Sequence, residues 1–397
     1  MEIRYVGEIR VFRSLRRGIG PVIDIKLEDL SETQHEVAET IIKEVNKLKS
    51  GLPPLYYCTI IVGERGSGKS QAVLTALINS GIAPNDAEAL MREGRVRLDE
   101  LVKYKDLKSR GARNAAYNAL KEAAKISPIP GLVVIDDVER LPQGYSLAYG
   151  LLFNVIYQRA LKNELDVYPI IAIDKLAWEY SLEQVGSENK EIIATLRDRA
   201  AVFEIYWQPE ELIKVAKKWF NESELPPEDV LLNIAKLIKT PRTLIDLLYR
   251  RKITSFDEFI HLMRQGATNL WNAFVRKAYS PGGVLSRGSA RAVWPEDVEK
   301  IIKDEKLFIK TLNGNLVVDD IRMMYGRSRK ERERPGRSLN TACKYKILEK
   351  SKDKYGFTSL FLILSLKAAT DPLSASGGAE ELEEIIRRTK RVRAAKI

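Results

Sequence analysis

The chain has 397 residues, with 65 Lys and Arg against 54 Asp and Glu, and its formal net charge is +11. That length predicts two or three domains, each large enough to bury its own core. The positive charge favours a polyanionic partner, with nucleic acid as the first candidate. Two cysteines and two histidines are too few to support a disulfide framework, a zinc site or a histidine-dependent catalytic triad.

The N-terminal stretch MEIRYVGEIRVFRSLRRG alternates charged and apolar residues. A signal peptide would instead place an apolar stretch after a charged head. The chain also contains no run of about 18 uninterrupted apolar residues that could span a bilayer. We therefore expect a cytoplasmic protein that has no membrane partner.

An amphipathic helix is predicted at 33–49, and the apolar run 58–62 then predicts a strand. Directly after the strand comes Gly63-Glu64-Arg65-Gly66-Ser67-Gly68-Lys69-Ser70, GERGSGKS. It satisfies G-x-x-x-x-G-K-[ST] between a strand and a helix, so it predicts a P-loop whose eight residues bind the phosphates of a nucleoside triphosphate. Lys69 would reach the β- and γ-phosphates, and Ser70 would bind Mg²⁺.

The second buried strand, 131–135, ends at Asp136 and Asp137. A carboxylate at the carboxyl end of a strand faces the crevice of an open α/β sheet, so we predict that Asp136 is the second Mg²⁺ ligand. Asp137 is predicted to orient or deprotonate the attacking water. Its side chain is one methylene shorter than that of a glutamate, so hydrolysis is expected to be slow. Glu139 is the alternative residue for this role.

Two further strands are predicted at 168–173 and 201–206. Helical segments around 84–93, 109–126 and 145–164 lie between the strands along the chain. Continuous apolar strands that alternate with helices are typical of a parallel sheet covered on both faces. The first half of the chain is therefore predicted to have an α/β fold.

After about residue 208 the pattern is mainly helical. Segments at 210–220, 227–239 and 241–252 predict a helical lid, and a strand-like run at 357–364 contributes to a predicted winged-helix-like domain. The predicted domains are an N-terminal extension (1–30), a nucleotide-binding core (31–207), a helical lid (208–253), a winged-helix-like domain (254–370), and a flexible linker with a charged tail (371–397).

A strongly basic segment spans 322–346, with nine Lys and Arg against two acids, a net charge of +7. We predict a basic loop at 322–338, a recognition helix that opens near Ser338, and a wing hairpin at 355–364. Binding of such a cluster to duplex DNA would be favoured by the release of condensed counterions. Arginine also binds phosphates and guanine edges bidentately. A solvated charged face is the alternative. The candidate DNA-binding residues are Arg327, Arg329, Lys330, Arg332, Arg334, Arg337 and Lys344.

Several segments together resemble the AAA+ ATPases, and within them the archaeal and eukaryotic origin-recognition initiators and related archaeal plasmid and viral ATPases. The resemblance covers about 31–250. It depends on the helix 33–49, on GERGSGKS, LVVIDD and IIAIDK, and on LRDRAAVFEIYWQPEELIKVAKKWF and KTPRTLIDLLYRR. It implies an α/β P-loop AAA+ core with a parallel sheet, an α-helical lid and a C-terminal winged-helix-like domain. It also implies a homo-oligomer or an assembly with a related AAA+ subunit.

The same resemblance implies roles for four more residues. Asp174 matches the sensor 1 position, where the family more often has Asn, Thr or Ser, and an ordinary helix cap is the alternative for it. Arg197 or Arg199 matches the arginine finger that reaches a neighbouring subunit's γ-phosphate, with a surface ion pair as the alternative. Arg242 matches sensor 2, a lid residue that reports the nucleotide state.

Two hypotheses for function follow from these residues. In the first, ATP binding and slow hydrolysis control binding to or assembly on double-stranded DNA, with replication initiation or mobile-element maintenance as the candidate processes. In the second, the chain is an ATP-driven remodeller or regulator with a protein or RNA partner. Either way, we expect a slow ATPase that uses ATP and Mg²⁺.

Overall fold

The computed structural model describes residues 27–99, 107–141, 144–185, 190–285, 294–323, 329–370 and 373–394. The chain divides into two compact units, of which the first ends at Trp207 and the second begins at Gln208. Most of the predicted N-terminal extension lies outside the described residues. In the part of the chain that is described, no helix is both long and apolar enough to cross a membrane.

The first unit contains a four-stranded parallel sheet, as the sequence predicts. Its strands are β1 (Thr59–Gly63), β2 (Leu132–Asp136), β3 (Tyr168–Asp174) and β4 (Ala201–Ile205). Their order across the sheet is β2-β3-β1-β4, and every neighbouring pair is parallel. All residues of β1, β2 and β3 are buried. Burial on both faces explains why these strands are continuously apolar in sequence.

Helices cover both faces of this sheet. They are α1 (Glu32–Lys49), α2 (Lys69–Asn79), α3 (Pro84–Asp99), α4 (Arg110–Lys125), α5 (Gly144–Tyr149), α6 (Gln158–Leu161), α7 (Lys175–Val185) and α8 (Lys190–Arg199). A π-helical stretch, Gly150–Tyr157, joins α5 to α6. Successive strand residues enter different cores: Ile61 packs with α1, α2 and α3, whereas Ile60 and Val62 pack with α4, α5, α7 and α8. This alternation is the two-residue period of a β-strand.

In its described residues the second unit has helices and one hairpin as its regular elements. Its helices are α9 (Pro209–Trp219), α10 (Glu228–Ile238), α11 (Pro241–Arg250), α12 (Phe256–Tyr279), α13 (Trp294–Lys303), α14 (Glu305–Leu312), α15 (Val318–Arg322), α16 (Arg329–Lys344), α17 (Ser359–Thr370) and α18 (Leu373–Ala394). Strands β5 (Leu348–Ser351) and β6 (Lys354–Phe357) form the antiparallel hairpin. Helix α12 packs against α17 and α18. Gly266 permits that close approach, because a Cβ there would collide with the Ser365 carbonyl oxygen.

The predicted basic loop at 322–338 is wrong over most of its length, because residues 329–344 form helix α16. Glycines and Pro335 suggested a loop, and a proline inside a helix does remove one hydrogen bond. Packing outweighs that cost here: Leu339 and Ala342 are fully buried, and α16 contacts α13, α15 and β5. Tertiary contacts override local propensity in such cases.

Two other predictions in the second unit are also wrong. The apolar run 357–364 was predicted to be a strand of the wing hairpin, yet the hairpin ends at Phe357 and a helix begins at Ser359. A helix buried all round has no amphipathic period, so its pattern resembles that of a buried strand. The segment 371–397, predicted to be a flexible linker with a charged tail, is helical from Leu373 to Ala394, and its small residues allow close packing, with Ala375 and Ala379 buried.

Candidate nucleotide-binding site

The first unit brings three predicted site residues to one edge of its sheet. Gly63 at the end of β1 pairs with Asp174 at the end of β3, and Asp136 at the end of β2 pairs with Ala172. Because the strands are parallel, all three carboxyl ends meet at the same edge, where open α/β sheets bind ligands. Strand β3 separates β1 from β2, so Asp174 lies between the P-loop and Asp136.

The P-loop depends on its glycines for its backbone path. Gly66 and Gly68 have φ angles of +87° and +89°, which side chains other than glycine rarely adopt. Gly63 also has no room for a side chain, because a Cβ there would lie 2.6 Å from the Ser67 hydroxyl oxygen. Helix α2 then begins at Lys69, with Gly68 as its N-cap. The loop therefore leads directly into the positive end of a helix dipole, which favours an anion.

Lys69 lies across its own loop. Its Nζ donates hydrogen bonds to the carbonyl oxygens of Gly63 at 2.9 Å and Glu64 at 3.2 Å. The side chain is only 8% exposed. A bound phosphate would offer this ammonium group charged acceptors, which form stronger hydrogen bonds than neutral carbonyls do.

Ser70 and Asp136 form the pair that fits Mg²⁺. The Ser70 hydroxyl donates to Asp136 Oδ2 at 2.6 Å, and the Asp137 backbone N–H donates to Asp136 Oδ1 at 2.9 Å. Among the residues that the structure describes, no group of three or more His, Cys, Asp and Glu could hold a metal ion. Mg²⁺ in nucleotide sites uses few protein oxygens together with waters and phosphates, so this pair suffices as its protein share.

Asp137 and Asp174 lie in different surroundings. Asp137 has a left-handed backbone, with φ of 56°, at the turn after β2, and its side chain is partly exposed. Asp174 is buried, and its Oδ1 accepts the backbone N–H of Leu176 at 2.9 Å, at the start of α7. That bond is of the kind that caps a helix. The catalytic role of Asp137 and the sensor 1 role of Asp174 stay predictions.

Glu139 is a buried carboxyl group close to the same charges. It is 8% exposed, and its Oε2 has no hydrogen-bond partner among the described residues. Burial is the main reason that the pKa of Glu139 is raised to about 7, and the negative charge of Asp174 raises it further, whereas Lys69 opposes the shift. Shifts of this kind are common at functional sites. Of the two residues considered for the attacking water, Glu139 is the one with an unpaired buried oxygen.

Two residues that the sequence analysis did not single out hold the outer side of the P-loop. Gln34 in α1 donates from Nε2 to the carbonyl oxygen of Gly68 at 2.9 Å, and the Trp207 indole N–H donates to that of Ser67 at 2.8 Å. Gln34 lies three residues after Ser31, a spacing that indicates a capping box. Neither that spacing nor an isolated tryptophan indicates a contact with a loop more than 30 residues away.

Arg199 lies at the amino ends of the strands, opposite the carboxyl ends where the P-loop lies. Its carbonyl oxygen accepts the Tyr57 N–H at 3.0 Å, just before β1 and β4 begin, and its side chain is exposed. Five residues of parallel strand, about 16 Å, separate this edge from the P-loop. Arg197 is in the same helix, α8. The structure therefore does not bring Arg199 to the P-loop of its own chain.

The remaining predicted residues lie in the second unit or outside the described residues. Arg242 is exposed in the first turn of α11. Arg337 and Lys344 are exposed on α16, seven residues apart and so on one face of the helix. The other candidate DNA-binding residues on α16 are Arg329, Lys330, Arg332 and Arg334. Arg327 lies outside the described residues.

Comparison with known proteins finds a distant likeness among solved structures. No protein-family model matches the chain, and no curated protein matches it in sequence. The chain is similar to the solved structure of the Aeropyrum pernix ORC2 protein in ADPNP-ADP complexes, with 12% identity and a TM-score of 0.37. The similarity covers 94% of this chain and 97% of that chain. At this TM-score it carries no argument about function, so we infer the function from the chain's own residues.

The Glu139 pKa predicts how the first unit responds to pH without nucleotide. Its ordinary value is 4.5 and its folded value is about 7, so between these values the folded chain holds a proton that the unfolded chain has lost. This contribution to stability is complete below about pH 4.5 and is lost as the pH rises through 7. Glu139→Gln should therefore reduce the fall in Tm between pH 5.5 and 8, measured by thermal unfolding. An unchanged fall would contradict the raised pKa.

Proposed function

We propose that this protein binds ATP with Mg²⁺ at the P-loop, hydrolyses it slowly, and uses the nucleotide state to control its binding to or assembly on double-stranded DNA. One observation carries the nucleotide part of the proposal. A glycine loop that leads into α2 lies beside a hydrogen-bonded pair, Ser70 and Asp136, that suits Mg²⁺. The coincidence of a phosphate cradle with a metal pair favours a nucleoside triphosphate over a simple anion.

Binding would use the loop and the start of α2. The backbone N–H groups at the N-terminus of α2 would donate to phosphate oxygens, and Lys69 would exchange its two loop carbonyls for the β- and γ-phosphates. Ser70 and Asp136 would hold Mg²⁺, which neutralises charge on the phosphates when bound. ATP is the triphosphate that the AAA+ resemblance implies.

Hydrolysis would use a carboxylate to orient the attacking water. Asp137 follows the Mg²⁺ ligand directly and is partly exposed, so it can meet a water at this edge. The short side chain of Asp137 and its position at a turn support a slow rate rather than a fast motor. We propose that Asp174 senses the γ-phosphate from the tip of β3 and that Arg242 reports the nucleotide state from the lid.

Replacing the two carboxylates one at a time tests the assignment of the water-orienting group. Asp137→Asn should lower kcat for ATP by about 100-fold, which is typical of a lost general base, and should leave the Kd for ATP within about threefold. Glu139→Gln should keep most of the activity. Steady-state phosphate release and equilibrium binding of ATP measure the two effects. If only Glu139→Gln loses activity, Glu139 orients the water instead.

Loss of Lys69 tests ATP binding itself. Lys69→Ala removes a charge-assisted donor to the phosphates and should weaken the Kd for ATP at least about tenfold. Lys43→Ala serves as the control, because Lys43 is exposed on α1 and its replacement removes the same charge. Equal affinities for the two variants in calorimetry would overturn the proposed ATP site.

We propose that Arg199 acts on the nucleotide of a neighbouring copy, with Arg197 as the other candidate. The position of Arg199 supports action between copies, because about 16 Å of strand separates it from its own P-loop. A guanidinium remains charged and offers paired donors to phosphate oxygens. The proposal therefore requires an assembly of at least two chains when ATP is bound.

Mixing two inactive variants tests action between copies. Arg199→Ala should bind ATP normally yet lose roughly 100-fold in hydrolysis, the scale of one lost transition-state donor. A Lys69→Ala chain is expected to bind ATP weakly but still supplies Arg199, so adding it should restore part of the activity. Arg110→Ala, an exposed arginine at the start of α4, is the control. Activity that is lost and not restored by mixing would argue against Arg199 as a finger.

The order of elements in the second unit supports a winged-helix-like domain. Helix α14 is followed by Leu316, which forms an antiparallel bridge to Tyr355, then by α15, α16 and the β5–β6 hairpin. We propose that α16 enters the major groove of DNA and that the hairpin is the wing. The wing exposes Lys350, Lys352 and Lys354, which would contact phosphates.

Salt dependence tests the proposed DNA surface. Replacing Arg337 and Lys344 with Ala should weaken duplex binding and lower the slope of log K against log salt by about two, or one per lost phosphate contact. Lys43→Ala with Lys125→Ala removes the same charge from exposed sites on the first unit and should leave the slope unchanged. Equal slopes for the two double variants, measured by fluorescence anisotropy, would count against DNA binding through α16. Binding of RNA alone would favour the regulator hypothesis.

A further inference from the structure

We propose that Gln34 and Trp207 are positioning residues for the nucleotide, which shape the P-loop by holding its carbonyl groups from the outside. The inference rests on the proposed function and adds residues that the P-loop motif does not contain. Both side chains come from segments distant from the loop in sequence: Gln34 is in α1, and Trp207, two residues after β4, is the last residue of the first unit. Their common target is the pair of peptide groups that lead into α2.

The contacts join a buried Gln34 and a partly buried Trp207 to the loop. Gln34 is 2% exposed, and its Nε2 donates to the carbonyl oxygen of Gly68 at 2.9 Å and approaches that of Ser67 at 3.5 Å. Trp207 Nε1 donates to the Ser67 oxygen at 2.8 Å. A Cβ at Gly68 would collide with the Gln34 amide nitrogen. The amide group therefore occupies the space that opens because residue 68 is a glycine.

The direction of these carbonyl groups sets the direction of the neighbouring N–H groups. In a trans peptide the C=O of one residue and the N–H of the next point to opposite sides. Holding the Ser67 and Gly68 carbonyls outward therefore turns the N–H groups of Gly68 and Lys69 inward. These N–H groups are among those that a P-loop offers to phosphate, so preorganising them avoids an entropic cost at binding.

Gln34 and Trp207 are also fixed relative to each other. The Gln34 Oε1 accepts the Ser31 N–H at 3.1 Å, and the Ser31 hydroxyl accepts the Gln34 N–H at 3.3 Å, which together make a capping box. Thr33 donates from its hydroxyl to the Tyr206 carbonyl oxygen at 3.0 Å. This bond ties the start of α1 to the residue before Trp207, so the two donors to the loop belong to one connected group.

Gln34→Glu separates the loop contact from the helix cap. The substitution keeps an oxygen for the Ser31 N–H but replaces the donor that faces the Gly68 carbonyl with a second oxygen. It should weaken the Kd for ATP and for ADP alike, each by roughly tenfold, the scale of one lost hydrogen bond, because the Gly68 carbonyl oxygen then keeps only the bond from the Ala72 N–H, at 3.0 Å. Trp207→Phe, which keeps an aromatic ring but removes the N–H, should weaken both in the same direction. Isothermal calorimetry on the full chain measures these affinities.

Ser31→Ala is the matched control, because it breaks the capping box and leaves the Gln34 amide in place. It should lower Tm while keeping both nucleotide affinities within about twofold. The proposal is overturned if Gln34→Glu and Trp207→Phe bind ATP as the unaltered chain does, or if Ser31→Ala loses as much affinity as Gln34→Glu. If the unaltered chain binds no ATP, the proposed function fails instead. Lys69→Ala reports on that question independently.

Discussion

Parallel pairing of β3 with both β1 and β2 is the constraint on which the candidate site depends. It places the ends of three strands at one edge, so that the Ser70 hydroxyl reaches Asp136 at 2.6 Å although 66 residues separate them. A slip of one residue in this register would turn every side chain of the slipped strand to the opposite face of the sheet. The buried apolar side chains on both faces oppose such a slip, so the hydrophobic cores also fix the positions of the polar groups.

The loop itself is held by hydrogen bonds that come from outside its own sequence. Glycine in left-handed conformations supplies the path but loses more conformational entropy on ordering than other residues do. Gln34, Trp207 and Lys69 offset part of that loss, because each donates to a loop carbonyl. Lys69 differs from the other two because its ammonium group can exchange its hydrogen bonds to the loop carbonyls for hydrogen bonds to a phosphate. Gln34 and Trp207 hold the shape of the loop, and Lys69 is the donor that a bound phosphate can take over directly.

How far the sequence predicts this molecule depends on the range of the interactions. The P-loop and the strands were predictable, since a glycine motif and an apolar run act over a few residues. The position of Asp136 at the carboxyl end of β2 was predictable, because it follows a buried apolar run in the sequence. The contact of Gln34 with Gly68 and the burial of Glu139 with its Oε2 unpaired among the described residues were not, because they arise from packing between segments distant in sequence. Helices α16 and α17 were missed for a similar reason: burial, rather than local propensity, decides their conformation.

Trp207 connects the P-loop through one hydrogen bond to the chain segment that leads into the second unit. It donates to the Ser67 carbonyl, and the residue after it, Gln208, is the N-cap of α9. A ligand can shift an equilibrium only by the difference in its interaction with the two states. One neutral hydrogen bond is worth about 1 kcal/mol net, which changes a population ratio about fivefold. A nucleotide that acted through this bond alone would therefore bias the start of α9 modestly. An effect of that size suits a switch that adjusts affinity for a partner, and it is too small to drive a large mechanical step.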